Sequence, residues 1–305
     1  MRRLVAAALV AFVSLILPAF GAEPPLTLAA LNPDDLSPQT GKARQLNLGD
    51  LEVSAPNGAQ MLKVNYEIYL GGFHLAAIDI VAIVDHGHYV AGTLLSTKGL
   101  ADAFVSSNIQ AVSTGEVHGH VVIPHSYNSD LKSPDNHQLV GLLFGSDGPT
   151  SIDSNPPYDL TRFPVSDQQK RNTVDPLSAA LFISLGSSVD DQDKCGRTVP
   201  IFDGKRRYDL KFSFVSNDKI SLGRDSFNGG KPVPALLCRA LYQRVAGFKP
   251  SKSGREPRIP PINVWLAPYP GTDFMVPMRM ETSTDFGGVV ARATKLAVVA
   301  PGSHT

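Results

Sequence analysis

The sequence predicts a mainly β protein: a single strongly curved antiparallel sheet, forming a half-barrel, barrel or spiral, wrapped around one or two helices. Three observations predict it. Apolar and polar residues alternate along one segment after another, as in half-buried strands. The 26 glycines and 24 prolines supply many turns. Helix signals are concentrated in one short segment, so the order of elements is a strand meander and not a βαβ series.

The first strand is plain. Leu62, Val64, Tyr66, Ile68 and Leu70 fall on one face, and Lys63, Asn65, Glu67 and Tyr69 on the other. Gly71-Gly72 then makes a turn. FHLAAIDIVAIV (73–84) gives a second strand and YVAGTLLSTKG (89–99) a third, with Asp85-His86-Gly87-His88 between them. A short helix is expected over 100–106. SNIQAVSTGEV (107–117) and HVVIPHSYNSD (120–130) give two more strands. Residues 128–172 read as loop-rich, with short apolar pieces at 139–144 and 158–163.

The helix follows in TVDPLSAALFISL. Asp175 is a good N-cap and Pro176 suits the first helical position. Leu177, Ala180, Leu181 and Leu185 supply a buried stripe, and Gly186 closes a helix over 176–186. Thr198 to Phe202 is a strand, and Asp203-Gly204 carries the signal of a two-residue type I′ turn. Beyond it Tyr208, Leu210, Phe212 and Phe214 alternate with Arg207, Asp209, Lys211 and Ser213. CRALYQRVAGF (238–248), INVWLAP, DFMVPMRMETST and VVARATKLAVV complete the set of strands.

The N-terminus has its own pattern. MRR is a basic start, Leu4 to Leu17 form an apolar run broken only by Ser14, and Ala19-Phe20-Gly21 is a small-x-small site. That order is a secretory signal peptide over 1–21, cleaved near Gly21. The apolar run is shorter than the roughly 20 residues of a spanning helix. The expectation is therefore an exported, periplasmic protein that is not membrane-spanning. Without a cysteine near the cleavage site, no lipid anchor is expected. Residues 22–60 read as a partly ordered leader and 61–300 as a single β-rich domain.

The full chain balances 28 bases against 28 acids; loss of Arg2 and Arg3 leaves 26 against 28. Such a balance lacks the basic excess of a nucleic-acid binder, and no nucleic-acid partner is expected. Cys195 and Cys238 are the two cysteines of the chain. In an exported protein they are expected to form a disulfide.

Candidate chemistry is sparse. His86-Gly87-His88 and His118-Gly119-His120 could chelate zinc or copper if they lay in strands, with His74, His125 and His137 nearby in sequence. Both pairs straddle a glycine at an expected turn, so no metal site is expected. Ser126 follows His125 and Asp130 is near, but adjacency in sequence is not triad geometry. No Gly-x-Ser-x-Gly elbow, His-Glu-x-x-His helix or Gly-rich phosphate loop occurs. No catalytic residue, no enzyme activity and no cofactor is expected. Lys205-Arg206-Arg207 could meet an anionic headgroup, although a solvated hairpin tip is the simpler reading. The apolar strand faces could either pack solid around a helix or leave a cavity for an acyl chain.

Several motifs, in order, resemble one exported bacterial family: YEIYLGG (66–72), TVDPLSAAL (173–181), C…VPIFDGKRRYDLKF (195–212), CRALYQRVAGF (238–248) and VWLAP…MVPMRMETSTDFGGVVARATKL. It is the family catalogued as domain of unknown function 3108, and the resemblance spans about 62–296. The family has no established activity, so no catalytic residues are implied. Its architecture is similar to the curved sheet of the LolA/LolB lipoprotein carriers, which wraps a helix and can bind acyl chains. The resemblance implies a cell-envelope protein that binds an apolar or lipid-like ligand, or a protein partner, in a curved sheet. The alternatives are a structural envelope protein with a filled core and an enzyme acting on envelope glycan or lipid.

Overall fold

The computed structural model describes residues 26–27, 41–48, 58–99, 106–186, 189–190, 192–221, 229–250, 259–269 and 271–299. The expected signal peptide lies outside them, as does the expected helix over 100–106 apart from its last residue. Two short strands, β1 (Leu26–Thr27) and β2 (Leu46–Asn47), pair in parallel. Thirteen further strands form one antiparallel sheet. Seven come first: β3 (Gln60–Leu70), β4 (Phe73–Asp85), β5 (His88–Thr97), β6 (Asn108–His118), β7 (Val121–Ser133), β8 (Asn136–Gly145) and β9 (Gly148–Asn155). Two helices follow, α1 (Asp167–Lys170) and α2 (Pro176–Ser184), then a 3₁₀ turn (Gln192–Gly196). The last six strands are β10 (Thr198–Phe202), β11 (Arg207–Ile220), β12 (Val233–Ala246), β13 (Ile262–Pro268), β14 (Met275–Thr284) and β15 (Gly287–Val299).

The strand order is β10-β11-β12-β13-β14-β15-β3-β4-β5-β6-β7-β8-β9. Two meanders are thus fused where the last strand meets the first of the sheet, with Val289 opposite Leu70 and Val299 opposite Met61. The sheet coils until its two ends approach. A Cβ placed on Gly204, in the β10–β11 loop, would lie 2.7 Å from Val140 Cγ1 on β8. The segment before α2 bridges the remaining gap: Asn172 N–H donates to Asp147 O in the β8–β9 turn, while Val174 pairs with β10 through Pro200 O and Phe202 N–H. Covering edge strands in this way removes a template for unwanted pairing.

Two expectations are corrected. Residues 128–172 are not mainly loop, because β7 runs on to Ser133 and β8 and β9 follow. In β8 Gln138 to Leu142 are all buried, so the strand carries no polar alternation to reveal it. Asp203-Gly204 is not a two-residue turn either. Phe202 pairs with Arg207, and the loop contains four residues, 203–206. It forms because the Asp203 carboxylate points inward and accepts from Lys205 N–H and Arg206 N–H at 2.9 and 2.6 Å.

The concave face is apolar. Leu62, Val64, Tyr66 and Ile68 are all buried there, each contributing about 1.5–3 kcal/mol relative to exposure. Tyr208, Leu210 and Phe212 continue the lining from β11, while Phe214, where that strand leaves the core, is 37% exposed. A second cluster lies on the convex face: Leu46 and Leu48 cover Met61, Val81, Ile83, Val90 and Val112. Residues 41–48, inside the expected leader, are held there as a strap. Its backbone N–H groups donate to Asp153 (from Ala43), Asp130 (from Leu46) and Gln110 (from Leu48) at 2.7–2.9 Å. Among the described residues no helix is long and apolar enough to cross a membrane.

Candidate functional site

Helix α2 lies inside the coiled sheet, touching β5, β6, β7, β10 and β14. Its sequence, PLSAALFIS, is apolar on every side, as an interior helix requires. Asp175 fixes its first turn. One carboxylate oxygen accepts from Leu177 N–H and Ser178 N–H at 2.9 and 3.0 Å. The other accepts from Ser113 Oγ–H at 2.9 Å and also from Ser178 Oγ–H. Tyr89 Oη lies 2.5 Å from Ser178 Oγ and 3.2 Å from Ser113 Oγ. These four side chains are at most 1% exposed. Burial pushes the Asp175 carboxyl up, against the pull of the hydrogen bonds it accepts. Burial, followed by the Asp175 charge, pushes the Tyr89 hydroxyl up. A carboxylate, two serines and a tyrosine would suit nucleophilic chemistry, but here they are sealed from solvent and hold the helix to β5 and β6.

Beside α2 the sheet leaves a cavity of about 200 Å³. Its walls come from β3 to β7 on one side and β10 to β14 on the other, with α2 between. Leu62, Val64, Ile78, Leu210, Phe212 and Val264 line it, and Ala82, Ala91, Ala111 and Ala240 make the space by being small. Its polar side chains are Thr93, Ser184, Tyr66 and Tyr127; among the described residues none that lines it is charged. Ile80, Ala180, Ile183, Pro277 and Met280 are only half-buried and mark where it reaches the surface. Burial pushes the Tyr66 and Tyr127 hydroxyls up, so both stay neutral. Chemically the space suits an uncharged apolar guest.

The residues singled out in the sequence are dispersed. Cys195 and Cys238 are joined, with Cα atoms 5.3 Å apart, and tie the 3₁₀ turn to β12 within a third buried cluster, with Val199, Ile201 and Leu236. Ser126 is buried and bonded to Thr114, whereas His125 is half-exposed beside Glu116 at 3.5 Å. Asp130 accepts from the strap and lies 2.9 Å from His137. Neighbours on a strand point to opposite faces, so this trio does not form a triad.

Several histidines do gather at one end of the coiled sheet. His118 Nε2 lies 2.9 Å from Glu116, His125 Nε2 lies 3.5 Å from it, and His88 is its cross-strand partner. The His118 bond holds the Glu116 carboxyl below its usual range. His86 pairs with Asp85 at 2.7 Å, whereas His74 lies at the opposite end, beside the β3–β4 turn, and pairs with Glu67. His118 ends β6 and His120 lies in the turn beyond, so the i, i+2 pair does not share a strand face. Among the described residues no group of three or more His, Cys, Asp or Glu is arranged to hold a metal.

Arg207 leaves the basic cluster: it donates to Asp209 at 2.7 Å and to Gln169 O at 3.0 Å. Lys205 and Arg206 lie over the rings of Tyr158 and Phe248 at 4.6 and 5.9 Å. The sequence left a filled core and a cavity both open, and the residues that line the cavity were not legible in it. The one signal that could have found them is the row of alanines at concave positions.

No curated protein matches this chain. Among solved structures, it is similar to the "Beta-barrel-like Protein of Domain of Unknown Function DUF1849" from Brucella abortus. The TM-score is 0.47 and the identity 11%, over 80% of this chain and 99% of the other. The profile of the family described as "Protein of unknown function (DUF3108)" matches residues 65–294. The chain belongs to that family.

Proposed function

We propose that the protein is an exported binding protein that holds a small uncharged apolar molecule, or the apolar end of a larger one, in the cavity beside α2. The single observation that carries this reading is the cavity's lining. About 200 Å³ is enclosed by side chains without a charge. Apolar cavities of about 150 Å³ accept a benzene ring, so the guest is about one ring or a short stretch of acyl chain. Binding is the favoured role over catalysis because the carboxylate–serine–tyrosine group at the start of α2 is sealed. Export rests on the basic, apolar and small-x-small order of residues 1–21.

Native mass spectrometry on protein recovered from the periplasm tests both parts. The expected result is a chain beginning at Ala22 that carries a noncovalent adduct removed by organic solvent. A chain retaining residues 1–21 inside the cell overturns the export. Failure of the cavity to take up added naphthalene overturns the binding.

A further inference from the structure

Three elements bring bases and aromatic rings to one surface: segment 158–165, loop 203–206 and the end of β12 with the residues just after it. Their contacts fix the meeting. Lys205 Nζ lies 4.6 Å from the centre of the Tyr158 ring. The guanidinium groups of Arg206 and Arg244 lie 5.9 and 4.3 Å from that of Phe248. The backbone at Gly247 packs so closely that an added Cβ would lie 2.1 Å from Lys205 O and 3.0 Å from Val165 Cγ2. Arg244 also donates to Lys249 O at 3.1 Å, and Arg162 lies 5.5 Å over the Phe163 ring.

Arg162, Lys205, Arg206, Arg244 and Lys249 therefore share one surface. Two acids lie near. Asp159 is turned into its own loop, accepting from Thr161 and from Arg162 N–H. Asp203 is fully buried beneath the loop. Leu160 and Val245, on the same segments, are 37% and 42% exposed. Burial, then the Arg206 charge, pulls the Lys205 ammonium down, so an added anion would relieve this crowding.

We propose that this surface docks onto a membrane whose headgroups carry anionic phosphate. Charge complementarity argues for that occupant: phosphates meet the bases, while Leu160, Val245 and the aromatic rings sit at the level of the headgroups. The inference is independent of what the cavity holds.

The test is cosedimentation of the full mature chain with vesicles of equal parts phosphatidylglycerol and phosphatidylcholine, and with phosphatidylcholine alone. Binding is expected to the anionic vesicles only. It should be lost at about 1 M salt, where charges are screened beyond about 3 Å. Each base removed should weaken binding about fivefold, from the ~1 kcal/mol per base near an anionic surface. Lys249→Gln and Arg162→Gln are the variants, since both side chains are exposed; Lys63→Gln on β3 is the control. Circular dichroism confirms folding. Equal binding to both vesicle types, insensitivity to salt, or an equal loss in the control would overturn the proposal. So would displacement by millimolar inorganic phosphate, which would indicate a discrete anion site. Absence of vesicle binding with retention on an acidic protein partner would also overturn it.

Discussion

Asp175 Oδ2 lies 2.9 Å from Ser113 Oγ, so the cap of helix α2 is bonded to the centre of strand β6. The pair is separated by 62 residues and is fully buried. It places α2, and α2 forms one wall of the cavity.

Asp175 makes a pH-dependent prediction. Its folded pKa is raised by burial, so the folded state holds this proton more tightly than the unfolded chain does. The stability it contributes is greatest below the ordinary carboxyl value and falls as pH rises from there to the raised value. Asp175→Asn removes the titration while keeping the shape. The melting temperature of wild type minus that of Asp175→Asn should therefore fall as pH rises from about 4. Asp175→Ala should cost about 2–4 kcal/mol at neutral pH, from the lost cap and the buried serine hydroxyls left without their acceptor. A flat difference between wild type and Asp175→Asn across pH would contradict this account.

The disulfide closes a loop with a sequence separation of 43, equivalent to about 4 kcal/mol in the chain-entropy view. Cys195→Ser and Cys238→Ser should each lower the melting temperature by about 10 °C for a chain of this size. Reductant should do the same to the wild type. Coincident melting curves with and without reductant would contradict it.

The strap makes a steric prediction. A Cβ on Gly141 would lie 2.5–2.7 Å from backbone atoms of Gly41, Lys42 and Ala43. Gly141→Ala should push the strap off the convex face, at a cost of about 1–3 kcal/mol. Limited proteolysis should then cut within 41–48 faster than in wild type, while the sheet survives. Unchanged cleavage would show that the strap yields without detaching.

Much of this fold was legible because its strands are buried on one face. The alternation from Leu62 to Leu70 and from Tyr208 to Phe212 marks the concave side directly. The cap and Pro176 located α2 to within two residues at its end. The strands that were missed, β8 and β9, lack that asymmetry: β8 is covered on both sides, and β9 is largely polar. The strap was hidden because GKARQLNL reads as polar, and only Leu46 and Leu48 hint at a covered face. A cavity leaves still less trace, since it is an absence of atoms. Its alanines acquire meaning only once β3 to β6 are seen to face β11 to β14.

The loop at 203–206 shows the same limit on a smaller scale. Asp-Gly after a strand suggests a tight turn, but the buried Asp203 carboxylate organises four residues instead. Packing of Gly204 against Val140 overrides the local preference.

The most direct test of the binding reading is titration of an uncharged fluorescent apolar probe, N-phenyl-1-naphthylamine, into wild type and into Ala180→Phe. Ala180 lines the cavity from α2 and is half-buried, so phenylalanine there fills the space with little disturbance to the sheet. The account predicts saturable one-to-one binding by wild type and at least a tenfold loss in a variant that melts within a few degrees of it. Equal binding by the two proteins, or none by wild type, would contradict it.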